Sequence, residues 1–231
     1  MSEFLALYVR HGSAWMPELL VAALATLRMS ALAFLLANAA GLVVAMARLS
    51  SVPPLRISAV AYTEVVRGIP ALTLLFVLYF ALPAAGVRFD SFTAAVLGLG
   101  LNGTAYSAEV FRAGIVAIHR DQFDAARSIG LSPSQTMRLI VLPQAVRIAV
   151  PPIGNYAIAL LKDTSVASII AAPELMLRAR DLASSSYLPM HLFLLAALMY
   201  FAMSYPIAIA VRHLERRLSR GTAVIGARTP L

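Results

Sequence analysis

The sequence predicts an all-α, polytopic membrane protein with about five transmembrane helices, and three observations carry that expectation. Of its 231 residues 60% are hydrophobic and only 13% charged, with a mean hydropathy of +0.80, whereas soluble domains carry about 25% charged residues. The apolar residues fall in long runs, and a helix crossing a hydrocarbon core of about 30 Å needs roughly 20 of them. The arginines gather at the ends of those runs, as loops facing the cytoplasm require.

Five segments meet the length requirement, near 19–47, 57–82, 92–118, 144–172 and 188–211. The first run continues well past a signal-peptide core without a clear small-residue cleavage site, so it reads as an uncleaved span. Gly68 and Pro70 interrupt the second, and Pro151, Pro152 and Gly154 the fourth; such breaks inside spans are tolerated where they line a cavity. No linker divides the chain, and 1–231 reads as a single membrane domain. An odd number of spans places the termini on opposite sides. The loops with Arg48 and Arg56, then Arg120, Arg127 and Arg138, and the tail with Arg212, Arg216, Arg217, Arg220 and Arg228 form the richer basic set. They are expected in the cytoplasm, with the N-terminus outside. The poorer set holds Arg10, Arg88, Arg178 and Arg180.

The net charge of +8 does not indicate nucleic acid, because eighteen of the nineteen basic residues are arginines at span ends without interleaved aromatics. With no cysteine, disulfides, thiol catalysis and Cys-based metal sites are excluded. The histidines at 11, 119, 191 and 213 are dispersed and form no metal-ligand pattern. A phosphate-cradling loop needs Gly-Lys-Ser or Gly-Lys-Thr, and the sole lysine, Lys162, follows Leu161. This chain is therefore not expected to hold ATP and its Mg ion; a separate subunit must do so.

The polar segment 119–142, between the third and fourth spans, is patterned. A short helical run, Asp124-Ala125-Ala126-Arg127, ends at Gly130, suited to the left-handed turn after a helix. After Leu131 a second helix is expected at once, with Ser132 as N-cap, Pro133 in the first helical position and Gln135 completing an S-x-x-Q capping box. Alanines at 125 and 126 would let the first helix lie deep in a partner's groove; the alternative is packing on the protein's own helix ends. Asp-Ala-Ala, three residues, Gly, nine residues, Ile140-Val-Leu-Pro143 resembles the EAA loop of ABC importer permeases, with Asp124 where that family usually has Glu.

The resemblance extends over most of 26–178. Thr26 to Ser50 is similar to the first conserved-type span of the polar amino acid permease family. Arg67-Gly-Ile-Pro70 resembles its Arg-Gly-Thr-Pro element, and Ala105 to Gly114 its Ala-Tyr-x-Ala-Glu-x-Phe-Arg-x-Gly run; Leu142-Pro-Gln-Ala145 and Leu160-Leu-Lys-Asp-Thr-Ser165 complete it. It implies a type I ABC importer permease fold and a subunit, surrounded by membrane lipid, that pairs with a second permease, identical or homologous. It further implies a cytoplasmic ABC ATPase dimer docked on the loop through Asp124, Ala125, Ala126, Arg127, Gly130, Leu131 and Ser132. An external solute-binding protein would deliver a polar or charged amino acid or a close derivative such as an opine.

Lys162 and Asp163 lie ten residues from Pro152 and from Ala172, about 15 Å from either end of the fourth span, where each charge is costly. Neighbours on a helix point about 100° apart and make a poor ion pair with each other, so partners must come from elsewhere. Two sources are open: a zwitterionic substrate in a pathway including Thr164, Ser165, Glu109 and Arg67, or pairing with Glu109, Arg67 or a partner subunit. Thr164 and Ser165 can instead bond back to helix carbonyls. Glu64 with Arg67, and Glu109 with Arg112, are spaced for local pairs. A rival reading is a membrane-embedded enzyme or receptor using Lys162 and Asp163, but no nucleophile or His-Glu-x-x-His arrangement accompanies them.

Overall fold

The computed structural model describes residues 2–219; Arg220, Arg228 and Leu231 of the basic tail lie outside the described residues. The chain is helical almost throughout, and no described residue is in a strand. Its elements are α1 (Ser2–Arg48), α2 (Pro53–Gly68), α3 (Ala71–Phe76), α4 (Ser91–Val116), α5 (Arg120–Ser128), α6 (Pro133–Thr136), α7 (Leu142–Asp163), α8 (Leu175–Ser186) and α9 (Pro189–Ser219). A wide helical turn over Met137–Val141 joins α6 to α7, and a tight 3-10 turn over Thr164–Ile170 follows α7.

By length and composition Ala6–Arg48 and Pro189–Leu218 are each able to cross a membrane, and up to four crossings result if each of two bent pairs counts as one. The central α4 runs 26 residues, about 39 Å at 1.5 Å per residue. It carries Asn102, Glu109 and Arg112, yet packs on α1, α2, α3 and α7, so it meets helices where the outer columns meet solvent or lipid. Small residues permit that close packing, as between membrane helices generally. A Cβ on Gly103 would stand 2.0 Å from the Tyr156 hydroxyl of α7 and 2.8 Å from Ala37 of α1. Asp90 caps α4, accepting from the Thr93 hydroxyl at 2.6 Å and the Thr93 N–H at 3.0 Å. These bonds hold its carboxyl below the usual carboxylate range.

The expected break at Gly68 and Pro70 is present: α2 and the helical run Ala71–Ala85 that α3 begins meet at 104°. Pro70 disfavours helical geometry at Ile69, which is extended at φ −106°, ψ 132°. The expected break at Pro151, Pro152 and Gly154 is absent, because α7 runs through all three. Gly154 instead lets α9 come close, since a Cβ there would lie 2.8 Å from Val211. The interruption falls later, at Thr164–Ile170 and Ala171, the latter left-handed at φ 55°, and the column turns 51° into α8. The first segment also differs. α1 begins well before residue 19 and passes through Pro17, and its early turns pack on the start of α9. There Phe4 stacks on His191 and the Tyr8 hydroxyl donates to the His191 carbonyl at 3.0 Å.

Candidate functional site: the loop and the α7 terminus

The loop has the architecture its sequence encodes. His119 caps α5, its Nδ1 accepting from the Asp121 N–H at 3.4 Å. The helix ends in a Schellman motif: the Leu131 N–H donates to the Ala126 carbonyl at 3.0 Å and the Gly130 N–H to the Arg127 carbonyl at 2.9 Å. Gly130 sits at φ 79°, and nothing would touch a Cβ there within 4 Å. Glycine is thus required by backbone conformation, not by crowding. The capping box also forms, the Ser132 N–H donating to Gln135 Oε1 at 2.9 Å and the Gln135 N–H to Ser132 Oγ at 3.3 Å.

The second helix expected after Leu131 is present and runs on: α6 and the turn after it feed continuously into α7, forming the end of that column. Ala126 is buried at 3% exposure and faces its own chain, whereas Ala125 is exposed. The pair therefore splits between inward and outward faces, because consecutive helical residues point about 100° apart. The outward face adds Asp124 and Arg127, paired at 3.5 Å, and Ile129, 75% exposed. Ile115, Ile118, Val141 and Ala145 form a buried cluster with Phe123 and Met137 packed on it, seating the loop on the ends of α4 and α7.

At the end of α7 the expected geometry changes as well. Lys162 and Asp163 are the last two residues of a helix, not the centre of one, and both are exposed. A helix C-terminus favours the lysine. Neither closes an ion pair among the described residues. Glu109 is not their partner: it accepts from Arg48 and Arg112, each at 2.5 Å, so the local Glu109–Arg112 pair forms and Arg48 of α1 joins it. Glu64 and Arg67 are both exposed and make no such contact among the described residues, and Arg67 adds a longer-range attraction to Glu109. Thr164 is fully buried and donates to the Leu161 carbonyl at 2.7 Å, and Ser165 donates to the Lys162 carbonyl at 2.7 Å.

The two charges open onto different surfaces. Lys162 and Ser165 line a cleft of about 450 Å³ with Phe193, Tyr200, Phe201 and Ser204 of α9. Asp163 does not line that cleft; its charge is felt by Tyr156, which stacks on Tyr106 of α4 with ring centroids 4.6 Å apart. Sequence reasoning missed Glu174, which is 1% exposed and begins α8 by accepting from the Met176 and Leu177 N–H groups. Its signal was available in part, since an acidic residue just before a helical run is an N-cap pattern.

The binding-protein-dependent transport system inner membrane component family matches residues 37–220. The chain belongs to this family. A probable glutamine ABC transporter permease protein of Bacillus subtilis is 39% identical over 180 residues, covering 78% of this chain and 83% of that one. An L-cystine transport system permease protein of the same organism is 34% identical, covering 86% and 85%. The glutamine transport system permease protein of Escherichia coli K12 is 35% identical, covering 69% and 74%. Among solved structures, an amino acid ABC transporter with histidines superposes with a TM-score of 0.86 at 33% identity, covering 93% of this permease and 98% of that chain. A methionine ABC transporter in an inward-facing conformation has a TM-score of 0.73 over 87% of this chain and 96% of its own; at 20% identity it shows the fold alone.

The permease is therefore a multi-pass inner-membrane transport subunit of the type I ABC importer fold, not an enzyme, and the membrane-embedded enzyme or receptor finds no support. Family membership implies an ATPase and a substrate-binding protein as partners.

Proposed function

We propose that this permease carries a polar or charged amino acid, or a close derivative, delivered by an external solute-binding protein. The observation that carries this reading is the near-complete superposition, at 33% identity, on an amino acid ABC transporter. Relatives named for glutamine and L-cystine transport support the same class. A cytoplasmic ATPase dimer holding ATP and Mg drives the cycle, and a second permease, identical or homologous, completes the pathway.

The whole chain acts as one membrane domain crossing near 19–47, 57–82, 92–118, 144–172 and 188–211, with the N-terminus outside and the C-terminus in the cytoplasm. In that orientation the segment 119–142 meets the ATPase. Its outward face, with Asp124, Ala125, Arg127 and Ile129, makes the contact, while Ala126, Gly130 and the Ser132 cap hold its shape. Lys162 and Asp163, in no ion pair among the described residues, supply charges to the substrate pathway on two separate surfaces, with Ser165 beside the lysine. Thr164 fixes the turn beneath them. Glu109 is held by Arg48 and Arg112 and acts with Arg67 at the base of the pathway.

The test is co-expression with the cognate ATPase and partner permease, followed by binding-protein-dependent uptake into proteoliposomes against a competitor panel of amino acids, sugars and peptides. ATP-dependent uptake competed only by polar or charged amino acids is expected. Uptake competed by sugars or peptides alone, or purification without an ATPase, would overturn the reading. A reporter fused after Leu231 and a tag near Ser51 should both be cytoplasmic.

A further inference from the structure

We propose that the hydrogen bond between Tyr200 and Glu174 is a positioning device for the Lys162 cleft, fixing the tyrosine that walls the cleft to the carboxylate that starts α8. The bond then sets where the tyrosine stands in the cleft wall. Three donors converge on Glu174: the Met176 N–H at 2.8 Å, the Leu177 N–H at 2.6 Å and the Tyr200 hydroxyl at 2.6 Å. The carboxylate is 1% exposed, so water cannot replace a lost donor without opening the structure. The N–H just before those two, on Leu175, goes to Thr26 Oγ1 of α1 at 2.9 Å. All three opening N–H groups of α8 are thus held by side chains, and one of the holders is itself bonded to α9.

The placement of these groups gives the bond its role. Tyr200 lines the cleft of Lys162 and Ser165. Glu174 lines a second cleft, of about 560 Å³, on the α1 side of α8, where Arg178 pairs with Glu18. The two clefts meet at this hydrogen bond, and a displacement of Tyr200 pulls on the N-cap of α8. The tyrosine ring has a separate job, since it belongs to the apolar cluster of Trp15, Leu19, Leu192 and Ala196. Removing the hydroxyl alone therefore tests position without emptying the core.

This inference rests on the reading that Lys162 faces the transport path, and the experiment separates the two. In proteoliposomes holding the complete transporter with its binding protein, the substrate moved per ATP hydrolysed is measured for Lys162→Gln, Tyr200→Phe, the double variant and Thr26→Val. Complex yield and basal ATP hydrolysis are measured alongside. Tyr200→Phe should lower the ratio about tenfold, the scale of losing one buried bond to a charged group, and Lys162→Gln should lower it at least as far. Yield should hold, and the double variant should be no worse than the more severe single, as expected of residues acting as one unit. Thr26→Val loosens the same helix start without touching the Lys162 cleft and should keep the normal ratio.

A normal ratio in Lys162→Gln sinks the path reading of Lys162 and the inference built on it. A loss in Lys162→Gln with a normal ratio in Tyr200→Phe overturns the positioning inference alone. Additive losses in the double variant, or an equal loss in Thr26→Val, would mean general loosening of α8 and overturn it too. Should Tyr200→Phe fail to assemble, Tyr200→Met, which also removes the hydroxyl and keeps an apolar side chain in the cluster, must show the same loss, and a normal ratio there is equally decisive.

Discussion

The loop between α4 and α7 and the turn between α7 and α8 are both short polar interruptions of helical columns, yet they are held by different means. In the loop, the caps and turn bonds join residues five or fewer apart, His119 to Asp121, Gly130 to Arg127, Leu131 to Ala126 and Ser132 to Gln135, and a bond from Gln144 to Gln122 ties it to the adjoining α7. In the turn, local bonds such as Thr164 to the Leu161 carbonyl are joined by bonds from afar: Thr26 to Leu175, Tyr200 to Glu174, Ser91 to the Ala171 carbonyl at 3.1 Å. A locally held element keeps its shape while neighbouring columns move, which suits a part that transmits motion. An element held by three other helices can only move with them, which suits a part that senses their arrangement.

The largest expected effect is at the turn. Glu174→Ala removes two caps of α8 and leaves the Tyr200 hydroxyl without its acceptor, a loss of about 3 kcal/mol, and thermal unfolding in detergent should fall accordingly. A change of a few tenths would mean that the turn is held locally after all, and the contrast would collapse.

In the loop, Gly130→Asp puts a Cβ on a left-handed backbone, at a cost of about 1 to 2 kcal/mol. Since nothing crowds that position, the strain should disturb the loop while leaving the rest of the permease folded. Co-purification with the ATPase is expected to drop sharply at an unchanged melting temperature. A large fall in melting temperature would show that the loop is coupled to the core more tightly than its local bonding indicates. Ser132→Ala should act in the same direction more weakly, at about 1 kcal/mol for a lost N-cap, and is read by binding-protein-stimulated ATP hydrolysis.

The smallest effect is at Asp124, which stands where the resembling family usually has Glu. Its pair with Arg127 lies on the surface, where such pairs contribute about 0.2 to 1 kcal/mol. Asp124→Asn should leave melting unchanged. If it abolishes ATPase association, the charge is read by the partner directly, and the loop is more than a shaped backbone.

The legibility of each part follows the same division. Ser132, Gln135 and Gly130 were readable because a capping box and a left-handed C′ residue are chemistry between near neighbours. Pro70 was readable because it constrains the residue before it. Pro151 and Pro152 misled, because proline in a membrane helix is tolerated where surrounding helices support it, and α9 does so beside Gly154. Ala125 and Ala126 misled as a pair, since which alanine faces inward depends on the angle at which α5 lies on the column ends.

The sequence by itself determined that the chain is an all-helical membrane protein, where its loop helices start and stop, and which family it joins. Those properties rest on hydrophobic run length, on bonds between neighbouring residues and on ordered motifs. Only the tertiary structure decided that α7 ends at Asp163, that Lys162 and Asp163 open onto different surfaces, that Arg48 joins the Glu109–Arg112 pair, and that Glu174 joins α8 to α9. Each depends on groups brought together across the chain, as far as 61 residues for Arg48 and Glu109 and 149 for Thr26 and Leu175. A buried polar group takes whichever partner the packing of whole helices delivers, and no local pattern encodes that choice.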